Sequence, residues 1–318
     1  MSGPMDALQA RIAAGFRSIV SGDPAGAPPW ALALAEGDDA GYFGPDSAAW
    51  RVHASLPTVI GGVRALLMQA MHPAALAGVQ QHSRYESDAL GRLSGTAQWL
   101  TVVTFGDRAA ADRECARVRG LHRRVVGQYA TQTGPKAYAA SDPDLLRWVH
   151  VAFTDSFLAT HQVWGGAIPG GPDAYVREWA IAGELVGVVD PPRSVAELEQ
   201  QLRDFEPHLR GDAATRSTVD FIRDAPLPAA ARPAYALLYS GAVSTIPERY
   251  RRVLGLPTVP LAVTKPLLAT ALRGLGLALG PHSPAERAAR RRLSRLAEPA
   301  SAAEGDSTRM GAEQSLAS

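Results

Sequence analysis

Apolar residues recur along most of the chain at the three- and four-residue spacing of amphipathic helices. Residues 56–71 are apolar nearly all round, which is typical of a buried helix, and Pro73 disfavours helix at the residue before it. Ser47 or Asp46, Asp107 and Ser141 are suited to N-capping. The pattern predicts helices over residues 6–20, 47–53, 56–71, 91–105, 108–130, 141–164, 173–188, 194–205, 229–245, 248–256 and 261–280.

Alternating apolar and polar runs bounded by hairpin turns are not found, so the sequence predicts an all-α fold with TQTGPKAY as a loop. Residues 1–45 hold the first helix and a Gly/Pro/Ala-rich connector, and residues 46–280 form a single large helical domain. Residues 281–318 are rich in Ala, Arg, Ser and Glu. We expect them to be disordered or to end in a frayed basic helix.

Composition narrows the class of protein. The 318 residues are 46% apolar and 20% charged, which suffices for a large core. The 32 basic and 31 acidic residues nearly cancel, so bulk charge does not attract nucleic acid or an anionic membrane. Cys115 is the only cysteine, which excludes an intramolecular disulfide and favours a small buried side chain. The N-terminus carries no secretion signal, so a cytoplasmic location is expected.

The most membrane-like segment is 261–280, in which Lys265, Pro266 and Arg273 interrupt the apolar sequence. It falls short of the ~20 clean apolar residues of a spanning helix. A core helix is the favoured interpretation, and an interfacial helix is the alternative.

His122 occupies a core-facing position of a predicted helix. A buried neutral imidazole must satisfy one donor and one acceptor, either with a carbonyl or hydroxyl or by binding a metal or haem iron. Arg119, Arg123 and Arg124 bracket it and either form a solvated face or meet carboxylates at the mouth of a cavity. The apolar stripe that contains His122 has four- and three-residue steps and comprises Ala111, Cys115, Val118, His122, Val125 and Tyr129.

Arg92 and Thr96 lie on one face of the preceding helix, which continues into Trp99, Leu100 and Val103. A guanidinium entering an apolar face needs an anion, and either a bound ligand or Glu86 could supply it. Zinc-protease, di-iron, phosphate-loop and serine-hydrolase motifs are absent. By elimination, a haem held by one histidine is the cofactor best suited to this pattern.

At these residues the chain resembles the bacterial and fungal oxygenase family that includes the rubber oxygenase (latex clearing protein) and the fungal mpaB-type oxygenase. The resemblance spans roughly residues 45 to 255. It is carried by LLMQAMHPAALAGV, HSRYESDALGRLSGT, TFGDRAAADRECARVRGLHRRVVG, GPKAYAASDPDLLRWVHVAFTDS and YVREWAIAGELVGV.

The resemblance implies a globin-like or related bundle that binds haem b and reacts with dioxygen. It implies that His122, in the form R-x-x-H with Arg119, is the proximal iron ligand, and that Arg92 and Thr96 lie on the distal side. Gly95 stands where some rubber oxygenases have an iron-coordinating lysine, so the resemblance does not extend to a lysine-closed iron or to polyisoprene cleavage. His72 and His150 recur in the matched segments, and we assign them structural or cavity-lining roles.

The sequence therefore leads to three hypotheses. The first is a b-type haem oxidoreductase, an oxygenase that acts with dioxygen on a lipophilic small molecule. The second is a haem- or lipid-binding module without turnover, for sensing or storage. The third is a helical scaffold in which His122 and Arg92 are satisfied core polar groups.

Overall fold

A computed structural model of the protein describes residues 14, 15, 17, 18, 23, 25, 27–82, 89–131 and 133–298. Helices dominate this part of the chain, which confirms the all-α prediction. The helix predicted over residues 6–20 lies largely outside the described residues. The helices are α1 Pro29–Leu32, α2 Ala48–His53, α3 Pro57–Gln69, α4 Pro73–His82, α5 Ala89–Phe105, α6 Arg108–His122, α7 Pro143–Trp164, α8 Gly171–Val186, α9 Val195–Phe205, α10 Ala213–Arg223, α11 Arg232–Thr245, α12 Glu248–Leu254, α13 Leu261–Leu279 and α14 Pro284–Ala297.

The centre of the fold is the packing of α3 against α7. The close approach requires glycine at position 61, because a Cβ atom there would lie 2.6 Å from Phe157 Cδ1 and 2.9 Å from Thr160 Oγ1. Leu67 and Met68 of α3 are fully buried in the same core as Trp148 of α7. Each side chain of this size contributes roughly 1.5–3 kcal/mol by leaving water.

A charged pair lies inside this interface. Arg64 of α3 is buried, with its Nη1 atom 2.6 Å from Asp155 Oδ2 and 2.8 Å from Ser156 Oγ on α7. Because a buried guanidinium is costly without an anionic partner, Asp155 fixes how α3 lies along α7.

Two capping predictions are confirmed and one is wrong. Ser47 accepts a hydrogen bond from Trp50 N at the start of α2, and Asp107 accepts one from Ala110 N at the start of α6. Helix α7 begins after Asp142 rather than Ser141. The reason is that Pro143 suits the first helical position, so the residue immediately before it becomes the cap.

The helix predicted to continue to residue 130 ends at His122, and a β-hairpin follows it. Strands β1 Val126–Thr131 and β2 Gly134–Ala139 pair antiparallel, so the loop predicted at TQTGPKAY is also wrong. The hairpin packs on α4, where a Cβ atom at Gly78 would lie 3.4 Å from both Tyr138 and Val125. This tertiary contact overrides the helical spacing of Val125 and Tyr129.

The segment after His282 forms α14, so the prediction of a disordered tail or frayed helix is wrong for residues 284–297. Arg292 is fully buried and donates from Nη1 to the Leu34 carbonyl and from Nη2 to the Phe105 carbonyl, at 2.6 and 2.8 Å. Ala288 and Ala289 pack in the same cluster as Trp50. Small side chains let α14 approach closely, so the low apolar content of this segment does not prevent packing. Residues 299–318 lie outside the described residues.

Candidate functional site

The candidate site is built on the α5–α6 hairpin. Only Gly106 and Asp107 separate the two helices. Position 106 needs glycine, because a Cβ atom there would come within 2.5 Å of the Val102 carbonyl oxygen. Trp99, six residues before the end of α5, lies next to Cys115, seven residues after the start of α6, so the helices run back along each other.

The contact between Trp99 and Cys115 sets the register of the two helices. Arg92 lies seven residues before Trp99, and His122 lies seven residues after Cys115. Seven residues are two helical turns, so Arg92 and His122 occupy the same level and the facing sides of α5 and α6. By this register the two backbone positions that the sequence selected lie at one level of the helical hairpin, while the Arg92 side chain lies outside the described part of the structure.

Thr96 lies between these two levels and is half-buried. It precedes Trp99 on the same face of α5, and the Trp99 ring packs edge-on against Trp179 of α8 with centroids 5.9 Å apart. The Trp99 Nε1 atom is buried and makes no hydrogen bond of normal geometry within the described residues. Burial raises the pKa of Cys115 to about 11, and the neighbouring indole partly offsets this rise, so the thiol stays protonated.

His122 is the last residue of α6 and is half-buried. Its Nδ1 atom is buried and has no hydrogen-bond partner in the part of the chain that the structure describes. Burial lowers the pKa of His122, so the imidazole is neutral at neutral pH. An unpaired neutral imidazole at a helix end can bind a metal, accept a proton or form a hydrogen bond with a ligand.

The arginines around His122 have different surroundings. Arg119 donates from Nη1 to the Leu185 carbonyl in the last turn of α8. Arg123 is exposed, and its backbone N–H caps α6 by bonding to the Arg119 and Leu121 carbonyls. Arg124 is exposed as well. Arg119 thus fixes α6 on α8, whereas Arg123 and Arg124 are accessible at the end of the helix that carries His122.

Helix α8 joins the elements of the site. Trp179 contacts α5, and the Leu185 carbonyl binds Arg119 of α6. Just beyond the helix, a Cβ atom at Gly187 would lie 3.7 Å from Leu146 of α7 and 4.0 Å from the Arg119 side chain. The C-terminal half of α8 is therefore the place where α5, α6 and α7 meet.

His150 of α7 is the residue whose position the sequence could not give. Its ring lies on Gly183 of α8, where a Cβ atom would be 2.8 Å from the imidazole Cε1. His150 is 6% exposed, and its Nε2 atom has no hydrogen-bond partner within the described residues. Burial lowers its pKa to about 4. A histidine eleven residues from His161 on one helix carries no spacing signal, and only the close approach of α8 reveals its setting.

An unpaired imidazole is not confined to this site. His72, between Trp148 and Phe205, also has a buried Nδ1 without a hydrogen-bond partner in the described ranges, and its pKa is lowered to about 4, chiefly by burial. His122 differs from His72 in its position across the α5–α6 hairpin from Arg92, and not in having an Nδ1 atom without a hydrogen-bond partner. In the described part of the chain, no three His, Cys, Asp or Glu side chains are grouped closely enough to hold a metal ion.

A cavity of about 530 Å³ lies on another side of α5. Ala97 and Thr101 of α5 line it, together with Trp50 of α2 and residues of the α13–α14 corner such as Leu279 and Arg290. Glu286 also lines it and is buried, with its Oε1 atom accepting from Trp50 Nε1 and from Arg290.

These features define an all-α protein in which a helical hairpin sets an arginine at the level of a half-buried neutral histidine, with a threonine one turn from the arginine. The chain belongs to the family described as "ER-bound oxygenase mpaB/B'/Rubber oxygenase, catalytic domain", which matches residues 50–277. The protein is thus a member of an oxygenase family, as the sequence resemblance predicts. Neither the curated proteins nor the solved structures contain a significant match to the chain.

Proposed function

We propose that the protein is a b-type haem oxygenase that acts on a lipophilic small molecule, with His122 as the iron ligand. The observation that carries this proposal is the half-buried imidazole of His122, whose buried Nδ1 atom has no hydrogen-bond partner in the described residues, at the level of Arg92 across the α5–α6 hairpin. Membership of an oxygenase family supports it. When bound, haem b would supply an iron centre that activates dioxygen and needs only one protein ligand.

His122 suits this role through its protonation state. A histidine binds iron through a neutral imidazole nitrogen, and burial already lowers the pKa of this side chain. Its position on α6 is fixed by the Arg119 hydrogen bond to α8 three residues earlier. We therefore assign Arg119 a positioning role, and we assign exposed Arg123 to pairing with a carboxylate of the cofactor at the helix end.

Arg92 and Thr96 are the proposed hydrogen-bond donors on the side of the cofactor opposite His122. A guanidinium and a hydroxyl on one helical face can donate hydrogen bonds to dioxygen and orient it. Trp99 and Trp179 form an apolar wall next to them, which excludes water and suits a lipophilic substrate. Under this proposal Arg92 and Thr96 are catalytic residues, whereas His122 and Arg123 hold the cofactor.

The non-catalytic haem module remains a second candidate because of one observation. His150 offers another buried imidazole with an unpaired nitrogen close to the C-terminal half of α8. If both histidines bound the iron, no position would be left for dioxygen. A reduced protein that fails to bind carbon monoxide would favour this candidate over the oxygenase.

Haem titration of the purified protein tests the ligand assignment. We expect wild type and His72→Ala to develop the Soret band of bound haem, and His122→Ala to lose most of it. His72→Ala is the matched control because it also removes a half-buried imidazole whose buried Nδ1 atom has no partner in the described residues. Equal losses in both variants, or no Soret band in wild type, would contradict the proposal.

A further inference from the structure

Helix α13 carries an apolar face that the rest of the described structure leaves uncovered. It is the single helix in the described ranges that is long and apolar enough to cross a membrane, yet only 11% of its most apolar window is buried. Val263 is 56% exposed, Leu267 54% and Leu277 80%. On a helical projection these side chains share one side with Thr270, Ala271 and Gly274. A contiguous apolar surface of this kind marks an interaction site.

A second side of α13 is anchored to the domain. Thr264, Leu268 and Leu272, which are spaced four residues apart, are buried. Thr264 donates a hydrogen bond to Ser244 of α11 at 2.9 Å, and a Cβ atom at Gly241 of α11 would lie 2.2 Å from Leu268. Because this stripe is bound to α11, the helix is held along the surface of the domain and is not available to cross a bilayer.

The charges of the region are strongly one-sided. Residues 261–298 contain seven basic and two acidic residues, a net charge of +5, whereas the whole chain carries +1. Of the two acids, Glu286 is buried and paired with Arg290 and His282. Lys265 and Arg273 are the exposed basic residues of α13, and Arg273 borders its apolar face. Exposed arginines follow on α14, namely Arg287, Arg291 and Arg295.

We propose that α13 and α14 together dock the protein on an anionic lipid surface. The apolar face of α13 would enter the boundary between headgroups and acyl chains, and the basic residues would contact the phosphates. An apolar face combined with a cationic flank is the composition of helices that lie in the membrane interface. The four-residue connection between the helices keeps both parts at one corner of the molecule.

The position of this corner is consistent with an oxygenase that receives lipophilic molecules. The 530 Å³ cavity beside α5 is lined by Gly276 and Leu279 of α13 and by Arg290 of α14. A lipid surface bound by α13 and α14 would place the cavity next to apolar molecules that are dissolved in the membrane. The docking proposal itself does not require haem or turnover.

Vesicle binding of the full chain tests the proposal. We expect co-sedimentation with vesicles of phosphatidylcholine and phosphatidylglycerol to be at least about tenfold stronger than with phosphatidylcholine alone, and to weaken with added salt. Val263→Glu should lower the binding about tenfold, because it places a charge in the apolar face. Val189→Glu is the matched control, since Val189 is also 56% exposed but lies after α8. Arg287→Glu combined with Arg291→Glu should remove the preference for the anionic lipid.

Equal binding to both vesicle types, or equal behaviour of the two valine variants, would overturn the proposal. A wild type that is dimeric by light scattering, with a monomeric Val263→Glu variant, would overturn it in favour of contact between two copies of the chain. The Soret band recorded on the same samples separates this test from that of the proposed function, because vesicle binding does not depend on it.

Discussion

The imidazole of His150 lies directly on the backbone of Gly183, where a Cβ atom would come within 2.8–3.1 Å of three ring atoms. The contact brings α7 against α8 two residues before Leu185, whose carbonyl holds Arg119. The packing of one histidine on one glycine therefore sets the separation of the helices around His122.

Replacing Gly183 tests this packing. We expect Gly183→Ala to lower the free energy of unfolding by about 1–3 kcal/mol, because the added methyl group forces the His150 ring or α8 to move. Gly62→Ala on α3 is the control, since its Cβ atom would meet nothing within 4 Å and alanine favours helix by about 0.5–1 kcal/mol. Urea unfolding of both variants measures the difference. Equal stability would show that the site tolerates a wider spacing of α7 and α8.

Acid stability should reflect the buried histidines. Burial is the main cause that lowers the pKa of His53 to about 3 and the pKa values of His72 and His150 to about 4. An exposed imidazole titrates near 6.5. The unfolded chain therefore binds more protons between pH 6.5 and 4, and stability falls as the pH drops through this range. Each such histidine contributes a slope of up to about 1.4 kcal/mol per pH unit.

A single variant tests how much His150 contributes to the slope of stability against pH between pH 6.5 and 5. We expect His150→Gln to reduce the pH dependence of the urea midpoint by about the contribution of one histidine. If the wild-type slope persists in this variant, His150 is not held neutral in the folded state.

Arg292 should be a main support of the hairpin that carries the site, although it is far from His122 in sequence. It donates to the last carbonyl of α5, that of Phe105, and to Leu34. We expect Arg292→Met to cost about 3 kcal/mol, because buried carbonyls lose charge-assisted partners. Arg291→Met, which alters an exposed neighbour, should change the stability by less than about 0.5 kcal/mol. Thermal or urea unfolding of both variants would show whether α14 contributes to the stability of the domain.

Local sequence signals were sufficient to predict most of the helices and the α5–α6 hairpin. The spacing of Arg92, Thr96 and Trp99, with Gly106 and Asp107 at the turn, predicts the end of α5 and the start of α6 as the structure has them, and places the start of α5 two residues late. The level of His122 relative to Arg92 follows from the same register, so the pairing of the two positions was within reach of sequence reasoning.

Features of the fold that depend on tertiary contacts could not be predicted from the sequence. Val125 and Tyr129 continue a helical stripe in the sequence, but they pack on α4 from a loop and a strand. The segment with Ala288 and Arg292 has too few apolar residues to predict a packed helix, because its packing relies on small side chains and on carbonyls of α5 and residue 34. The setting of His150 depends on a glycine thirty-three residues away.

The roles proposed for Arg92 and Thr96 concern a ligand that accepts hydrogen bonds. With haem bound and reduced, we expect Arg92→Leu to lower the affinity for dioxygen by about tenfold or more, and Thr96→Val by less. The affinity for carbon monoxide, a weaker acceptor, should change little. Arg113→Leu on the exposed side of α6 is the control. If Arg92 instead only pairs with Glu86, the ratio of the two affinities would not move, and Arg92→Leu would lower the stability alone.

The carbon monoxide difference spectrum of His122→Gly, recorded with and without added imidazole, tests the central assignment most directly. Glycine leaves a space at the end of α6 that free imidazole can fill. We predict that the variant lacks the wild-type spectrum of the reduced protein and regains it when imidazole is added, while His72→Gly keeps that spectrum throughout. A wild-type spectrum in His122→Gly without imidazole would show that another residue binds the iron, and an absence of any haem spectrum in the wild type would contradict the haem oxygenase assignment as a whole.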